Sequence, residues 1–474
     1  MTDRDNHNGL QEQLATLPEA ADPFVASVQR RFGHWLPAGT PLAGAVRPSA
    51  SIQLETILSA ARAHGASLWC FPDDSGVGAI AEPSDRPVIA VDLRGLDRII
   101  NVDKLSATAL VEPGVTFSAL NAHLRELEPR LWCGDEADAH RSVAGTIWSR
   151  GMGYGPYGDR TLMQCGMEVL LANGQRVRTG MGAFPAGNMW QLFKYGYGPY
   201  ADGAFQQSTF AIPTLVGSWL MPAPPVSAPF RFSVAETRAL SSAIDALRPL
   251  KITPVIPSTV VLSNGPYLSS LDATTSQDSD GGSAWTGCAA LYGLPADIDI
   301  VRQAVAGTLK PIDGVGDLRP LVAGEPLGDR RHALFTGGSA TPIPLPTALE
   351  VTAVCAPEGA AAAAIFDIVT RVTADHHYPP ACEFRMAWRT LLAHLRLPFD
   401  DTSDSEIERS VTCGDALVNE LNAAGFGVVS ASMVLLPAAT AAFDNGMQTL
   451  RERVKSALDP EAVLGGSVAP RPSV

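Results

Sequence analysis

Apolar and polar positions alternate in short blocks along this chain, and helical spacing gives way repeatedly to strand spacing. Residues 10–31 and 51–64 carry helical spacing, with Ser51 placed as an N-cap for the second segment. VIAVDL at 88–93 and ATALVE at 107–112 read as strands, and 117–126 reads as a helix after the turn in VEPGVTFSAL. The clearest hairpin is GMEVLLANGQRVRT at 166–179, where Asn173-Gly174 supplies a turn pair with positive φ between two strand-like runs. Residues 211–221 form another strand region, and the proline density of MPAPPVSAP at 221–229 marks a domain boundary. Beyond it, FRFSV at 230–234 predicts a strand and 236–247 a helix. The polar stretch 269–283 reads as a surface loop and 360–373 as an alanine-rich helix. Period alone leaves strand and helix both open for 383–395. The closing part predicts a strand at 430–436 and a helix at 444–458.

Composition narrows the class. Apolar types make up 46% of the 474 residues and charged types 18%, which is enough apolar material for a packed core. With 35 Lys and Arg against 49 Asp and Glu the net charge is −14, which leaves no electropositive face for nucleic acid or an anionic membrane. A small molecule or another protein is the expected partner. Cys70, Cys133, Cys165, Cys288, Cys355, Cys382 and Cys413 are widely spaced and odd in number, so they predict buried thiols in a reducing compartment rather than a zinc cage or a disulfide framework. The polar start MTDRDNHNGLQEQ lacks the apolar core of a signal peptide, and no run approaches the roughly 18 apolar residues of a spanning helix. The expectation is a cytoplasmic protein. His376 and His377 beside Asp375 invite a metal reading, but adjacent side chains diverge in helix and strand alike, so no metal is expected. Asp92 reads as a turn cap, and Gly153, Gly155 and Gly158, interleaved with Tyr154 and Tyr157, suit a turn lining a pocket.

Five segments carry a resemblance. They are VEPGVTFSAL at 111–120, RGMGYGPYGDR at 150–160, CGMEVLLANGQRVRTGMGAFP at 165–185, YGYGPYADGAFQQS at 195–208 and GSWLMPAPP at 217–225. In this order they resemble the vanillyl-alcohol oxidase and 4-cresol dehydrogenase group of flavoproteins, and weaker similarity runs through LDPEAVLGGSVAP at 458–470, the last residues of the covered stretch. The resemblance implies an α+β fold: a flavin-binding domain over 1–225, a cap domain on an antiparallel sheet over 226–415, and a return to the first domain over 416–474. It further implies FAD as cofactor, a phenolic or alkyl-aromatic substrate that gives up a hydride, and association as a homodimer or with a homologue or electron-transfer protein. YGYGPYADG is the surface expected to serve such association.

The same resemblance places the site residues. Asp159 in PYGD falls where the family has its active-site acid, with Tyr154, Tyr157, His140 and Arg141 as further polar groups of the cavity. Cofactor contacts fall on Pro72, Ser75, Gly76, Gly78, Pro113, Gly114, Ser142, Val143, Gly145, Ile212 and Thr214. Several family features are replaced. The pyrophosphate loop, FPDDSGVGAIAEPSDRPVIAVDL at 71–93, carries Asp73 and Asp74, whose charge repels phosphates unless they turn outward to solvent. Ala139-His140-Arg141 stands where the family has a glycine triplet, and Thr146 where it commonly has Asn. Trp388 and Arg389 stand near the position of the covalent flavin anchor, with His394 several residues away. Val429 and Ser430 replace the Tyr-Arg pair that clamps a phenolate. The expected flavin is therefore non-covalent and weakly held, or absent. Three functions are expected from this pattern: a redox enzyme using Asp159 as base, a flavin-free pseudoenzyme acting as a partner subunit, or a cofactor-independent lyase or isomerase reusing the cavity.

Overall fold

The computed structural model describes residues 25–29, 42–73, 86–134, 140–271, 284–323, 328–337 and 345–465. The fold is α+β and is built on three main sheets. Strands Leu42–Val46, Val88–Asp92 and Ser67–Phe71 pair in parallel in that spatial order, and the helix Gln53–Ala63 covers them by burying Leu54, Ile57, Leu58 and Ala61. That helix starts later than expected. Ile52 occupies the N-cap position instead of Ser51, and the Gln53 side chain accepts from the Ser49 and Ala50 N–H groups at 2.8 and 3.1 Å. Asp92 does cap a turn: it accepts from the Arg94 N–H and pairs with Arg47 and Arg94 at 2.8 and 2.6 Å. Of the predicted helix at 10–31, only 25–29 lies among the described residues, and it is helical.

The second sheet is antiparallel, in the order Ile99–Asp103, Thr108–Val111, Ala211–Trp219, Gln164–Leu171 and Arg176–Arg178. Its hairpin turns differently from expectation. Only Gly174 has positive φ (85°), and Leu171 N–H donates to Gln175 O, so the connection is a three-residue loop closing on glycine rather than a two-residue Asn-Gly turn. The helices Phe117–Arg125 and Val143–Trp148 pack on one side, capped by the Thr116 and Ser142 hydroxyls.

The third sheet has eight antiparallel strands, in the order Arg319–Pro320, Val226–Val234, Trp285–Gly293, Val260–Asn264, Cys382–Ala387, Thr390–Pro398, Ala348–Cys355 and Gly427–Ala431. The undecided 383–395 stretch is a hairpin, and its alternation divides the two faces. Cys382, Phe384, Met386, Ala393 and Leu395 point into the main core, which is roofed by the helices Thr237–Ile252, Gly359–Asp375 and Asp404–Ala423. Glu383, Arg385, His394 and Arg396 therefore point the other way, toward the first two sheets.

The helix Asp404–Ala423 runs across the expected boundary at 416 and packs on the cap core. Gly427–Ala431 pairs with Ala348–Cys355 inside the cap sheet, and the turn Met433–Leu435 follows where the strand was expected to run on. The helix Asn445–Leu458, N-capped by Asp444, makes the return. Buried Lys455 donates to Thr209 O, Asp459 Oδ2 and Leu464 O at 3.0, 2.8 and 2.5 Å, and Asp459 in turn accepts from the Val463 and Leu464 N–H groups at 2.9 and 2.8 Å. This latch holds Leu464 against Leu68. Replacing Asp459 with Ala leaves the Lys455 ammonium buried without its counter-ion, and the expected loss is about 3–5 kcal/mol. Urea unfolding of the variant against the parent measures it.

Candidate active site

The 151–159 turn joins the first domain to the cap. Gly158 is required by close approach, since a Cβ there would lie 2.5 Å from Gly153 O. Thr259, just before the cap strand Val260–Asn264, donates its N–H to Tyr154 O at 2.9 Å and its hydroxyl to Gly153 O at 3.0 Å. The turn thereby delivers the Tyr154 ring to the polar face of the cap sheet.

There it meets a buried ion cluster. Glu383 Oε1 accepts from Arg385 Nε at 2.7 Å and from the Tyr154 hydroxyl at 3.3 Å. Oε2 accepts from Ser263 Oγ at 2.6 Å and from Arg331 Nη2 at 2.7 Å. Arg385 also donates to Met152 O, the Tyr154 hydroxyl and the Tyr267 hydroxyl at 3.1, 2.8 and 3.4 Å. Burial pushes the Glu383 carboxyl up, but the Arg385 and Arg331 guanidiniums and the Ser263 hydroxyl outweigh it and hold the group at about 2. Burial raises the Tyr154 and Tyr267 phenols, which stay protonated. His394, across the strand pair from Glu383, is held well below its ordinary range by burial and then by Arg385; its Nδ1 lies 3.0 Å from Thr352 Oγ1. Around this cluster stand aromatic walls: Tyr154 edge-on to Phe335 at 6.0 Å, Trp132 against Tyr292 at 5.8 Å, and the Tyr292 hydroxyl donating to Phe335 O at 2.8 Å.

Of the expected catalytic groups, Tyr154, Tyr157 and Asp159 share this turn. Tyr154 is buried in the cluster, whereas Tyr157 and Asp159 are half-buried. Asp159 caps the short helix Arg160–Met163, its Oδ1 accepting from the Leu162 N–H at 2.8 Å. Arg141 is held elsewhere, on Asp73, and His140 beside it is exposed. Glu383, Arg385, Arg331 and Tyr267 were not singled out from sequence. The signal was present in EFRMA at 383–387, where charged and apolar residues alternate as on a two-faced strand.

A separate groove lies in the first domain. It has a volume of about 470 Å³, counting its open mouth, and is lined by Leu68, Cys70, Pro72, Leu93, Gly145, Trp148, Ser208, Ile212 and Leu464 among others. Pro72, Gly145 and Ile212 thus meet as expected, while Ser75, Gly76 and Gly78 lie outside the described residues, as does Asp74. Val143 packs in the core beneath. Ser142 Oγ donates to Pro113 O, which fixes the start of the helix. Thr146 Oγ1 donates back to Ser142 O at 2.8 Å. Gly114 serves packing, since a Cβ there would lie 2.6 Å from Arg94 O, and the Thr214 hydroxyl is engaged with Glu168 Oε1 at 3.0 Å.

Asp73 departs from expectation by pointing inward. Its buried carboxylate accepts from the Ser142 N–H at 3.0 Å and from Arg141 Nε at 3.2 Å, and it lies 3.2 Å from where a Gly145 Cβ would stand. The groove's lining is mainly apolar. Beside the lining residues Pro72 and Gly145, the Asp73 carboxylate thus already has its own cation.

Residues 42–180 match the FAD binding domain family. The chain is 30% identical over 458 residues to the 4-cresol dehydrogenase [hydroxylating] flavoprotein subunit of Pseudomonas putida, covering 88% of this chain and 87% of that protein. It is 32% identical over 212 residues to 1'-carboxy-chondrochloren decarboxylase of Chondromyces crocatus, covering 44% of this chain and 39% of that one. Substrate-bound p-cresol methylhydroxylase superposes with a TM-score of 0.84 at 25% identity, over 98% of each chain. The 4-ethylphenol oxidase of Gulosibacter chungangensis, in its isoeugenol complex, superposes with a TM-score of 0.85 at 23% identity over 96% of this chain and 95% of that one. This two-domain flavoprotein architecture, matched over nearly its whole length, makes the chain a member of the p-cresol methylhydroxylase and vanillyl-alcohol oxidase family of FAD-linked oxidoreductases. Among the described residues no helix is long and apolar enough to cross a membrane.

The ion cluster sets a pH dependence. Because the Glu383 carboxyl sits below its ordinary 4.5, its contribution is complete above that value and is lost as pH falls from 4.5 toward about 2. Glu383→Gln leaves two buried guanidiniums with no carboxylate and is expected to cost about 3–5 kcal/mol at pH 7. Urea midpoints from pH 3 to 7 check both points: the gap between parent and variant narrows on the acid side.

Proposed function

We propose that this chain is an FAD-dependent oxidoreductase that holds its flavin non-covalently and weakly and oxidises a small alkyl-aromatic or aromatic-alcohol substrate. The feature that supports this reading is the 151–159 turn, which carries Asp159 and sets the Tyr154 ring beside Phe335 at the polar face of the cap sheet. The names of the relatives support it, since 4-cresol and 4-ethylphenol are alkylated phenols. Bound FAD would supply the hydride acceptor. Trp132, Tyr154, Tyr292 and Phe335 would orient an aromatic ring and exclude water from it. Asp159 Oδ1 is fixed by the Leu162 N–H, which leaves Oδ2 to take a substrate proton.

Weak, non-covalent binding follows from two features. Trp388 and Arg389, near the expected anchor, sit at the exposed tip of the cap hairpin, and Trp388 is 62% exposed. Asp73 presents a carboxylate where phosphates would lie, already neutralised by Arg141. The second feature also favours a flavin-free partner subunit, and one titration separates the two readings. The purified protein is titrated with FAD while flavin absorbance and melting temperature are followed. A yellow protein, or a colourless one whose melting temperature rises with FAD, is expected; a colourless protein that FAD does not stabilise rejects the redox reading.

Asp73→Asn removes the competing charge and leaves Arg141 to meet the phosphates, so FAD should bind at least about tenfold more tightly than in the parent, read by fluorescence quenching. Asp159→Asn keeps a capping oxygen but loses the base. Its melting temperature should stay near that of the parent while kcat on an alkylphenol falls by about 10²-fold or more.

A further inference from the structure

Charge within the cap cluster does not balance. Arg331 and Arg385 are 5% and 7% exposed and Glu383 is sealed, so two cations face one carboxylate in a dry environment. Glu383 accepts from both guanidiniums, Ser263 and Tyr154, and cannot compensate further. Among the described residues the groups within the cluster add no second anion, and Glu350, whose charge reaches Tyr267, is paired with Arg396. Tyr154 and Tyr267 stay protonated, the Cys288 thiol beside Arg331 is raised by burial, and His394 is neutral. Arg331 Nη1 has no nitrogen or oxygen partner and no solvent, and the adjoining Cys288 sulfur is a weak acceptor. Trp132 Nε1 is a second buried donor with no partner. It belongs to the same shell, through the ring contacts Trp132–Tyr292 and Phe335–Tyr154 and the Tyr292–Phe335 hydrogen bond. A surplus buried guanidinium is costly unless an anion joins it.

We propose that this cluster is a substrate-recognition site for a carboxylate borne on an aromatic ring, with Arg331 and Arg385 supplying the charge and Trp132, Tyr154, Tyr292 and Phe335 the ring walls. The inference rests on the reading of an aromatic substrate above. A carboxylate is favoured over a phenol for two reasons. One of its oxygens can accept from Arg331 Nη1, the guanidinium nitrogen left without a nitrogen or oxygen partner. A carboxylate also carries charge at neutral pH, whereas a phenol near its ordinary value of about 10 does not. The Tyr-Arg pair that would draw the proton from a phenol is Val429 and Ser430 in this chain. Arg331→Met leaves Glu383 and Arg385 as a balanced pair, so the unliganded variant is expected to fold.

The test is isothermal titration of the purified protein, with and without added FAD, using 4-methylbenzoate, its neutral isostere 4-methylbenzamide, and p-cresol at pH 7. Binding of 4-methylbenzoate at least about tenfold tighter than either neutral compound, and a loss of at least about tenfold in Arg331→Met, are expected. Equal affinity for benzoate and benzamide, tighter binding of p-cresol, or unchanged benzoate affinity in Arg331→Met each overturns the proposal. Should Arg331→Met fail to fold, the comparison of benzoate with benzamide on the parent decides alone. FAD uptake without benzoate discrimination removes this inference and leaves the redox reading standing, whereas benzoate discrimination without FAD uptake does the reverse.

Discussion

A single carboxylate held between two guanidiniums organises the interface between the domains. Glu383 projects from a central strand of the cap sheet, and its partners arrive from four elements: Arg385 from the same strand, Ser263 from the neighbouring strand Val260–Asn264, Arg331 from the helix Gly328–Thr336, and Tyr154 from the first domain. Because Arg385 also reaches Met152 O, the turn bearing Asp159 is positioned by the same guanidinium that faces Glu383. In a low-dielectric interior these contacts reinforce one another, and none is easily changed alone. Domain packing and pocket chemistry are thus two aspects of one network.

The first domain has a second internal pair of a different kind. Asp73 and Arg141 are 68 residues apart in sequence, yet the Asp73 carboxylate takes both the Arg141 guanidinium and the Ser142 N–H at a helix start. This pair is balanced, whereas the cap cluster sets two guanidiniums on one carboxylate.

Local chemistry made much of the scaffold legible in the sequence. The strand at 88–92, the helix at 117–125 with its Thr116 cap and the helix at 445–458 follow from periodicity and capping residues whose partners lie within a few positions. Features that depend on distant partners were not legible. Nothing near residue 73 indicates an inward carboxylate, because the arginine that draws it in comes from another segment. The 383–395 stretch alternates charged and apolar residues only over 383–387, too short a run to decide its period, and its charged positions become intelligible only once Tyr154 and Arg331 are placed against them. The place of Gly427–Ala431 has the same origin: it joins the cap sheet by its pairing with Ala348–Cys355, not by its own composition.

The Lys455 latch, finally, bears on how the molecule is made. Strand Ser67–Phe71 receives its neighbour at Leu464 only after almost four hundred intervening residues have been synthesised. A nascent chain emerging from the ribosome therefore cannot complete its first domain in order of appearance; the cap, whose strands pair among themselves over 226–431, is free to condense first. Biogenesis would then run from the middle of the polypeptide outward, with the amino-terminal region waiting on the carboxy-terminal one.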